Sequence, residues 1–471
     1  MGELYRKLEE YAQSDFYPYH MPGHKRRLCG KTIAPVADLD ITEIDGFDNL
    51  HDASGILLRL QEKAARLYGA DESFFLVNGS TAGILSAVSA ALPEQGKLLM
   101  ARGCHKSVYH AAYLRNLDIS YLWTPYYPEF GCQMAVTTEE VEKALEENSG
   151  IQAVLIVSPT YEGLTADVKG IAEVVHKRGI PLIVDEAHGA HLGFHPFWPL
   201  SSCRQGADLV IQSIHKTLPS LTQTAVLHVN GTLVNREKLK RFLRIYQSSS
   251  PSYLLMASIE DALDMLASEG ESLFETFRKN WTAMLDALSD CTCIHFLTAE
   301  NADPGKLVFG DRTGRMNGQQ LYDRLLRQYH LQMEMAAGNY ALAMFTVGDT
   351  VEGYERLTKA LLEIDDECRR QGTAPAEKGS FETVIPRPAK KLSLHDAWDA
   401  EGEEILLSEA VGRISAEFIN LYPPGIPLVV PGEMFSSELC RCLQKYTEAG
   451  FTVQGICKRK GQIYVKTERA S

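Results

Sequence analysis

No apolar run in this sequence approaches the roughly 20 residues that a helix needs to cross a bilayer, so membrane insertion is not expected. The first ten residues are charged throughout and lack the apolar centre of a secretory signal. The ten cysteines are scattered, with Cys-x-Cys only at 291/293 and 440/442, no Cys-x-x-Cys, and no histidines at zinc-ligand spacing. They read as reduced thiols of a cytoplasmic protein, and no metal site is expected. A Walker A loop is missing, as are internal repeats and low-complexity tracts. Basic charge is in deficit too: the formal net charge of -14 argues against a nucleic-acid partner and suits small cationic molecules.

What is present is an ordinary globular composition, 45% hydrophobic and 23% charged, over 471 residues, enough for two or three domains. An opening amphipathic helix leads into a segment rich in Pro, Gly and aromatics from Phe16 to Lys25, then an acidic stretch from Asp40 to Asp52. A helix over Ser54 to Leu67 is predicted from Leu57, Leu60, Ala64 and Leu67. Apolar strands at 74–77, 97–101, 153–157, 181–184 and 209–211 then alternate with helical patterns, which implies an α/β fold with a mainly parallel sheet covered on both faces. A smaller α/β unit follows. The charged, Gly- and Pro-rich segment 366–391 reads as a linker to a C-terminal α+β domain, in which Leu421 to Glu433 looks too proline-rich for a helix and suits a rigid loop. The expected boundaries are an arm over 1–50, a large domain over 51–290, a small domain over 291–365, the linker, and the C-terminal domain over 392–471.

The polar residues collect at the ends of these strands, where α/β folds place their chemistry. Leu209 to Ile211 delivers Ser213, His215, Lys216 and Thr217. A lysine there can form a Schiff base, although most lysines are solvated surface charges. Asp185 directly follows Pro181-Leu-Ile-Val184, a position where a carboxylate is partly desolvated and wants a cationic partner, unless it is a simple N-cap or structural ion pair. Ala187 beside it is small enough to let a planar ring lie close, and His188 can titrate. Asn78-Gly79-Ser80-Thr81 joins a strand to an Ala-rich helix, which serves equally as an ordinary helix start or as a phosphate cup. His105 stands where another strand leaves the sheet, available for stacking or for capping. Together these parts meet the needs of pyridoxal 5'-phosphate: a lysine for the imine, an acid for the ring nitrogen, a phosphate cup and a flat packing surface.

The same stretches resemble the Orn/Lys/Arg decarboxylase family of aspartate-aminotransferase-like, fold type I pyridoxal-phosphate enzymes. The resemblance runs from Tyr19-His-Met-Pro-Gly-His-Lys25 and Asp40-Ile-Thr-Glu-Ile44 through Asn78 to Thr81, Cys104-His-Lys-Ser107 and Ser158-Pro-Thr-Tyr161. It continues through Asp185-Glu-Ala-His188, Ser213-Ile-His-Lys216 and Ser248-Ser-Ser-Pro251 to Tyr422-Pro-Pro-Gly425 and Pro431-Gly-Glu433. It implies a seven-stranded-type sheet in the large domain. It also implies that Lys216 is the Schiff-base lysine, that Asp185 pairs with the pyridinium and that His105 stacks on the ring. Gly79, Ser80, Thr81, Thr160, Ala187, Ser213 and His215 would line the cofactor, and Ser249 would reach the phosphate of a neighbouring subunit. His188 or Lys216 would return the proton to the substrate carbon.

The implied reaction is decarboxylation of lysine, arginine or ornithine to a polyamine-type amine, by a homodimer with shared active sites or a dimer of dimers. The decamers of relatives with an extra N-terminal wing are not expected. Asp48 and Glu433 are the carboxylates available for a distal substrate cation, with plain solvation as the other reading. An aminotransferase, a carbon–sulfur lyase and a silent cofactor-binding homologue are the alternatives on the same fold.

Overall fold

The computed structural model describes residues 2–18, 21–22, 24–25, 34–127, 129–372, 386–422, 425–459 and 461–469. Parts of two motifs quoted above, at residues 19, 20, 23, 423 and 424, lie outside them. The chain divides into two compact units: Met1–Pro93, Gln152–Ser158 and Asp167–Glu275 form the first, and Glu94–Ile151, Pro159–Ala166 and Thr276–Ser471 the second.

In the first unit, helix α1 (Glu3–Gln13) buries Leu4 and Leu8 completely, and its free N-terminal N–H of Leu4 donates to the Glu260 carboxylate at 2.9 Å. Helix α2 (Ile56–Tyr68) buries Leu57, Leu60, Ala64 and Tyr68; the apolar stripe ends on Tyr68, with Leu67 only half-buried. Helix α3 (Gly79–Ala91) consists mainly of small residues and so sits close to the sheet. A Cβ on Gly83 would lie 2.6 Å from Leu76 Cδ1 and 2.9 Å from Ile211 Cγ2.

Seven strands make the large sheet: β1 (Glu72–Leu76), β2 (Lys97–Ala101), β3 (Asp118–Leu122), β4 (Ala153–Val157), β5 (Leu182–Asp185), β6 (Leu209–Ser213) and β7 (Ala225–Val229). The first unit contributes β1-β7-β6-β5-β4 in that order, and the second the parallel pair β2-β3. β4, β5 and β6 are parallel, as the alternating pattern predicts. β7, which the strand pattern does not reveal, runs antiparallel to both β6 and β1. Two antiparallel steps restore direction, so β1 points the same way as β6. Leu76 and Ser213 both register with Ala225, and Asp185 registers with Ile211. The start of α3, Ser213 and Asp185 therefore emerge at one edge of the sheet.

The second unit holds β8 (Ile294–Phe296), β9 (Lys306–Asp311), β10 (Met335–Ala337) and β11 (Tyr340–Met344) in an antiparallel sheet ordered β10-β11-β9-β8. Helices Gly318–Tyr329 and Val351–Arg370 accompany it. The second helix continues five residues past the predicted start of the linker because Ile364 and Cys368 keep its apolar face buried; residues 373–385 lie outside the described chain. Leu421 to Glu433 is not a simple loop: Ile419–Tyr422 and Ile426–Val429 pair antiparallel. Pro427 is tolerated because its strand is the edge of a three-stranded sheet, where a missing N–H interrupts no ladder.

One buried carboxylate ties this unit together. Asp365 Oδ1 accepts from the N–H groups of Thr292, Cys293 and Ile294 at 3.0, 2.7 and 2.8 Å and is 1% exposed. Asp365→Ala strands three donors and is expected to cost about 2–4 kcal/mol in urea unfolding. Half-buried Asp366→Ala, which loses only a surface pair with Arg369, is expected to stay within about 0.5 kcal/mol of the parent.

Candidate active site

Lys216 lies on a single helical turn, Ile214–Thr217, directly after β6. Its Nζ is 3.1 Å from His188 Nε2. Asp185, at the end of neighbouring β5, is 5% exposed and accepts the Ala187 N–H at 3.1 Å. Burial pushes its carboxyl pKa up, while the positive charge of Lys216 and the Ala187 hydrogen bond pull it back. The first unit thus brings Lys216, Asp185, Ala187 and His188 together.

The edge also carries an anion-binding arrangement. Asn78 precedes α3 but gives its helix no side-chain cap; its Oδ1 instead accepts the Ser248 N–H at 3.1 Å. Gly79 takes φ +73°, and a Cβ there would meet nothing nearer than the Gln223 carbonyl at 3.9 Å. The first N–H groups of α3, with Ser80 and Thr81 partly or fully exposed, are left open to a ligand. Ser213 Oγ is buried with no hydrogen-bond partner among the described residues. Such an orphan is costly unless a ligand completes it. His215 pairs its Nδ1 with the Thr224 carbonyl at 2.8 Å, and burial lowers its pKa. With Nδ1–H donated, its Nε2 donates to an anion only as imidazolium. Ser249 is exposed on the loop that Asn78 anchors.

These features fit pyridoxal phosphate. Lys216 would hold its aldehyde carbon and Asp185 its ring nitrogen, while Gly79, Ser80, Thr81 and Ser213 would hold its phosphate.

His105 and Thr160 belong to the second unit. His105 caps the helix Lys106–Leu114, its Nδ1 accepting the Ser107 N–H at 3.2 Å, and the Thr160 Oγ1 accepts the Leu164 N–H at 3.2 Å.

Both carboxylates expected to meet a substrate cation are employed elsewhere, which corrects that reading. Asp48, held at φ +68°, accepts four backbone N–H groups: Asn49 and Ser54 on Oδ1, Gly55 and Leu57 on Oδ2, all at 2.8–3.0 Å. Those bonds lower its pKa and fill its lone pairs, so it organises the entry to α2. Glu433 is 1% exposed, and its Oε2 accepts from Arg102 Nη2 at 3.0 Å and from the Val430 N–H at 2.8 Å. Arg102 is itself enclosed by the Tyr109, Tyr121 and Trp123 rings, with its guanidinium carbon 5.2–5.8 Å from their centres. The role of Glu433 is not readable from local sequence, because its partner Arg102 lies far away in the chain.

A strand-end lysine beside a buried acid and an uncapped helix start defines a fold type I pyridoxal-phosphate enzyme. Comparison with known proteins narrows the class. Residues 3–314 match the Orn/Lys/Arg decarboxylase major domain and residues 381–458 the C-terminal domain of the same family. The chain belongs to the Orn/Lys/Arg decarboxylase family, whose members are amino-acid decarboxylases. It is 33% identical to an arginine decarboxylase of Bacillus subtilis over 470 residues, covering 96% of this chain and 95% of that protein. Against the constitutive lysine decarboxylase of Escherichia coli the identity is 24%, over 98% of this chain and 80% of that protein. Among solved structures, the Francisella novicida lysine decarboxylase LdcF superposes with a TM-score of 0.83 at 18% identity, over 100% of this chain and 81% of that one. At that identity the likeness speaks for the fold.

The raised pKa of Asp185 carries a signed consequence for stability. A folded-state carboxyl pKa above the unfolded value of about 3.9 means that this group's contribution is full below that pH and is lost as pH rises through the folded value. Apoprotein carrying Asp185→Asn is therefore expected to match the parent near pH 4 and to melt at a higher temperature above neutrality. Thermal scans of the two apoproteins across this range test it, and an Asn variant less stable at pH 8 contradicts it.

Proposed function

We propose that this protein decarboxylates a basic amino acid with pyridoxal phosphate, and that arginine is its preferred substrate. The observation that carries the reading is the cluster of Lys216, His188 and Asp185 at one sheet edge, beside an uncapped helix start. The preference for arginine is supported by relatives named arginine decarboxylase at 31–33% identity over 91–96% of the chain, against 23–24% for those named lysine decarboxylase.

When bound, pyridoxal phosphate supplies the electron sink for the pair released as the bond from Cα to the carboxylate breaks. Asp185 would keep the ring nitrogen protonated, since an adjacent carboxylate favours the charged form. Lys216 Nζ would hold the cofactor's aldehyde carbon, the position that the substrate α-amine would take. His188 Nε2, 3.1 Å from that nitrogen, exchanges a proton with it, so either group can return a proton to Cα. The roles that the resemblance gives to His105, Thr160, Ala187 and His215, and to Ser249 across a subunit boundary, belong to the same proposal. So do a cytoplasmic homodimer and a place in polyamine formation. Support for a non-membrane location is that, among the described residues, no helix is long and apolar enough to cross a membrane.

Incubating the cofactor-loaded protein separately with arginine, lysine and ornithine, and measuring CO2 and amine, tests the proposal. Agmatine is expected to form with a kcat/KM at least about tenfold above that for cadaverine or putrescine, a gap of about 1.4 kcal/mol in transition-state binding. A 2-oxo acid in place of CO2, or no amine from any of the three, contradicts it.

A further inference from the structure

The sheet face opposite Asp185 and Ser213 carries a second set of buried polar groups. Side chains alternate along a strand, so Gln212 on β6 points away from the face that Ile211 and Ser213 share. In the ladder His228 stands opposite Val210 on one side and Ser73 on the other, which puts all three polar residues on that second face. Glu186 follows Asp185, and its N–H extends the β5 pairing by donating to the Ile211 carbonyl at 2.9 Å. Ser73, Glu186, Gln212 and His228 are each 4% exposed or less.

With Glu186 ionised and the Gln212 amide nitrogen facing it, the contacts fix the direction of every hydrogen bond in the set. Glu186 accepts from Ser201 Oγ at 2.8 Å, Gln212 Nε2 at 2.6 Å and the Ser202 N–H at 2.7 Å. Because Gln212 donates its amide nitrogen to Glu186, its Oε1 faces His228 Nε2 at 3.0 Å and must accept from it. That leaves His228 Nδ1 bare, and the Ser73 hydroxyl at 2.7 Å donates to it. The neutral imidazole this requires agrees with burial holding the His228 pKa down to about 3. Every proton in the chain points towards Glu186, which has no cationic partner among the described residues. Desolvation pushes its pKa up and the three donors pull it back.

We propose that Ser73, His228, Gln212 and Glu186 form a positioning chain that fixes Asp185 and Ser213 against bound pyridoxal phosphate. The inference rests on the cofactor reading given above. Glu186 is the neighbour of Asp185, Gln212 the neighbour of Ser213, and the 2.6 Å bond between their side chains locks the two strand ends together. Apolar side chains would fill the same space at lower desolvation cost, so the polar chain contributes direction and not simply cohesion.

The test uses the full-length protein loaded with pyridoxal phosphate and reads cofactor release into a scavenger, together with the pH midpoint of the visible absorption band. His228→Leu removes the donor to Gln212 and is expected to speed release about tenfold, as a buried unpaired acceptor implies, and to move the midpoint. His228→Gln places an amide nitrogen near the lost Nε2 and is expected to restore both to within about twofold of the parent. Should His228→Leu fail to fold, Ser73→Ala at the far end of the chain carries the test, with a smaller change in the same direction. If either His228→Leu or Ser73→Ala lowers Tm while release and midpoint stay at parental values, the chain only holds the fold together and the proposal is overturned. A wild-type protein that takes up no pyridoxal phosphate overturns the cofactor reading and the proposal with it.

Discussion

The register of four strands governs the site. Asp185 lies opposite Ile211, and Ser213 and Leu76 both lie opposite Ala225. A slip of one residue in any of these ladders would turn the acid or the hydroxyl to the other face of the sheet. Holding that register takes apolar strands buried along their whole length, and β5, β6 and β7 are such strands. Their apolar sequences accept few polar exceptions. Those they contain, Asp185, Gln212, Ser213 and His228, are all tied to the site or to the hydrogen-bonded chain behind it.

Much of this is legible in the amino-acid sequence. Strand ends can be read from apolar runs that stop at polar residues, and that pattern alone points to Lys216, Asp185 and the Gly79 turn. Gln212 and His228 carry no such signal, because the apolar run of β6 stops at Ile211 and the strand pattern does not reveal β7. The antiparallel insertion of β7 is not legible, because short strands carry no mark of direction. Asp48 and Glu433 mislead for a different reason. A carboxylate in a loop looks like a free charge until its partners are known, and Arg102 is more than three hundred positions from Glu433. The C-terminal strands are hard to read since many, such as Gly402–Leu406, are half-exposed and mixed in character.

Both loop acids are hydrogen-bonded by the protein itself. The chemistry at Cα has a firmer footing, because it requires only groups that the first unit already assembles. An amine held 3.1 Å from an imidazole, beside a carboxylate that burial makes reluctant to ionise, is the arrangement on which the proposed cofactor site rests. The stability that the buried acid forgoes is the expected cost of a site kept ready for its ligand.

The central claim is that Lys216 is the covalent lysine. Borohydride reduction of the cofactor-loaded protein, followed by proteolysis and mass spectrometry, tests it directly. The account predicts one phosphopyridoxyl group per chain, on the peptide that contains Lys216. Label spread over several surface lysines, or placed on a single lysine other than Lys216, would contradict it.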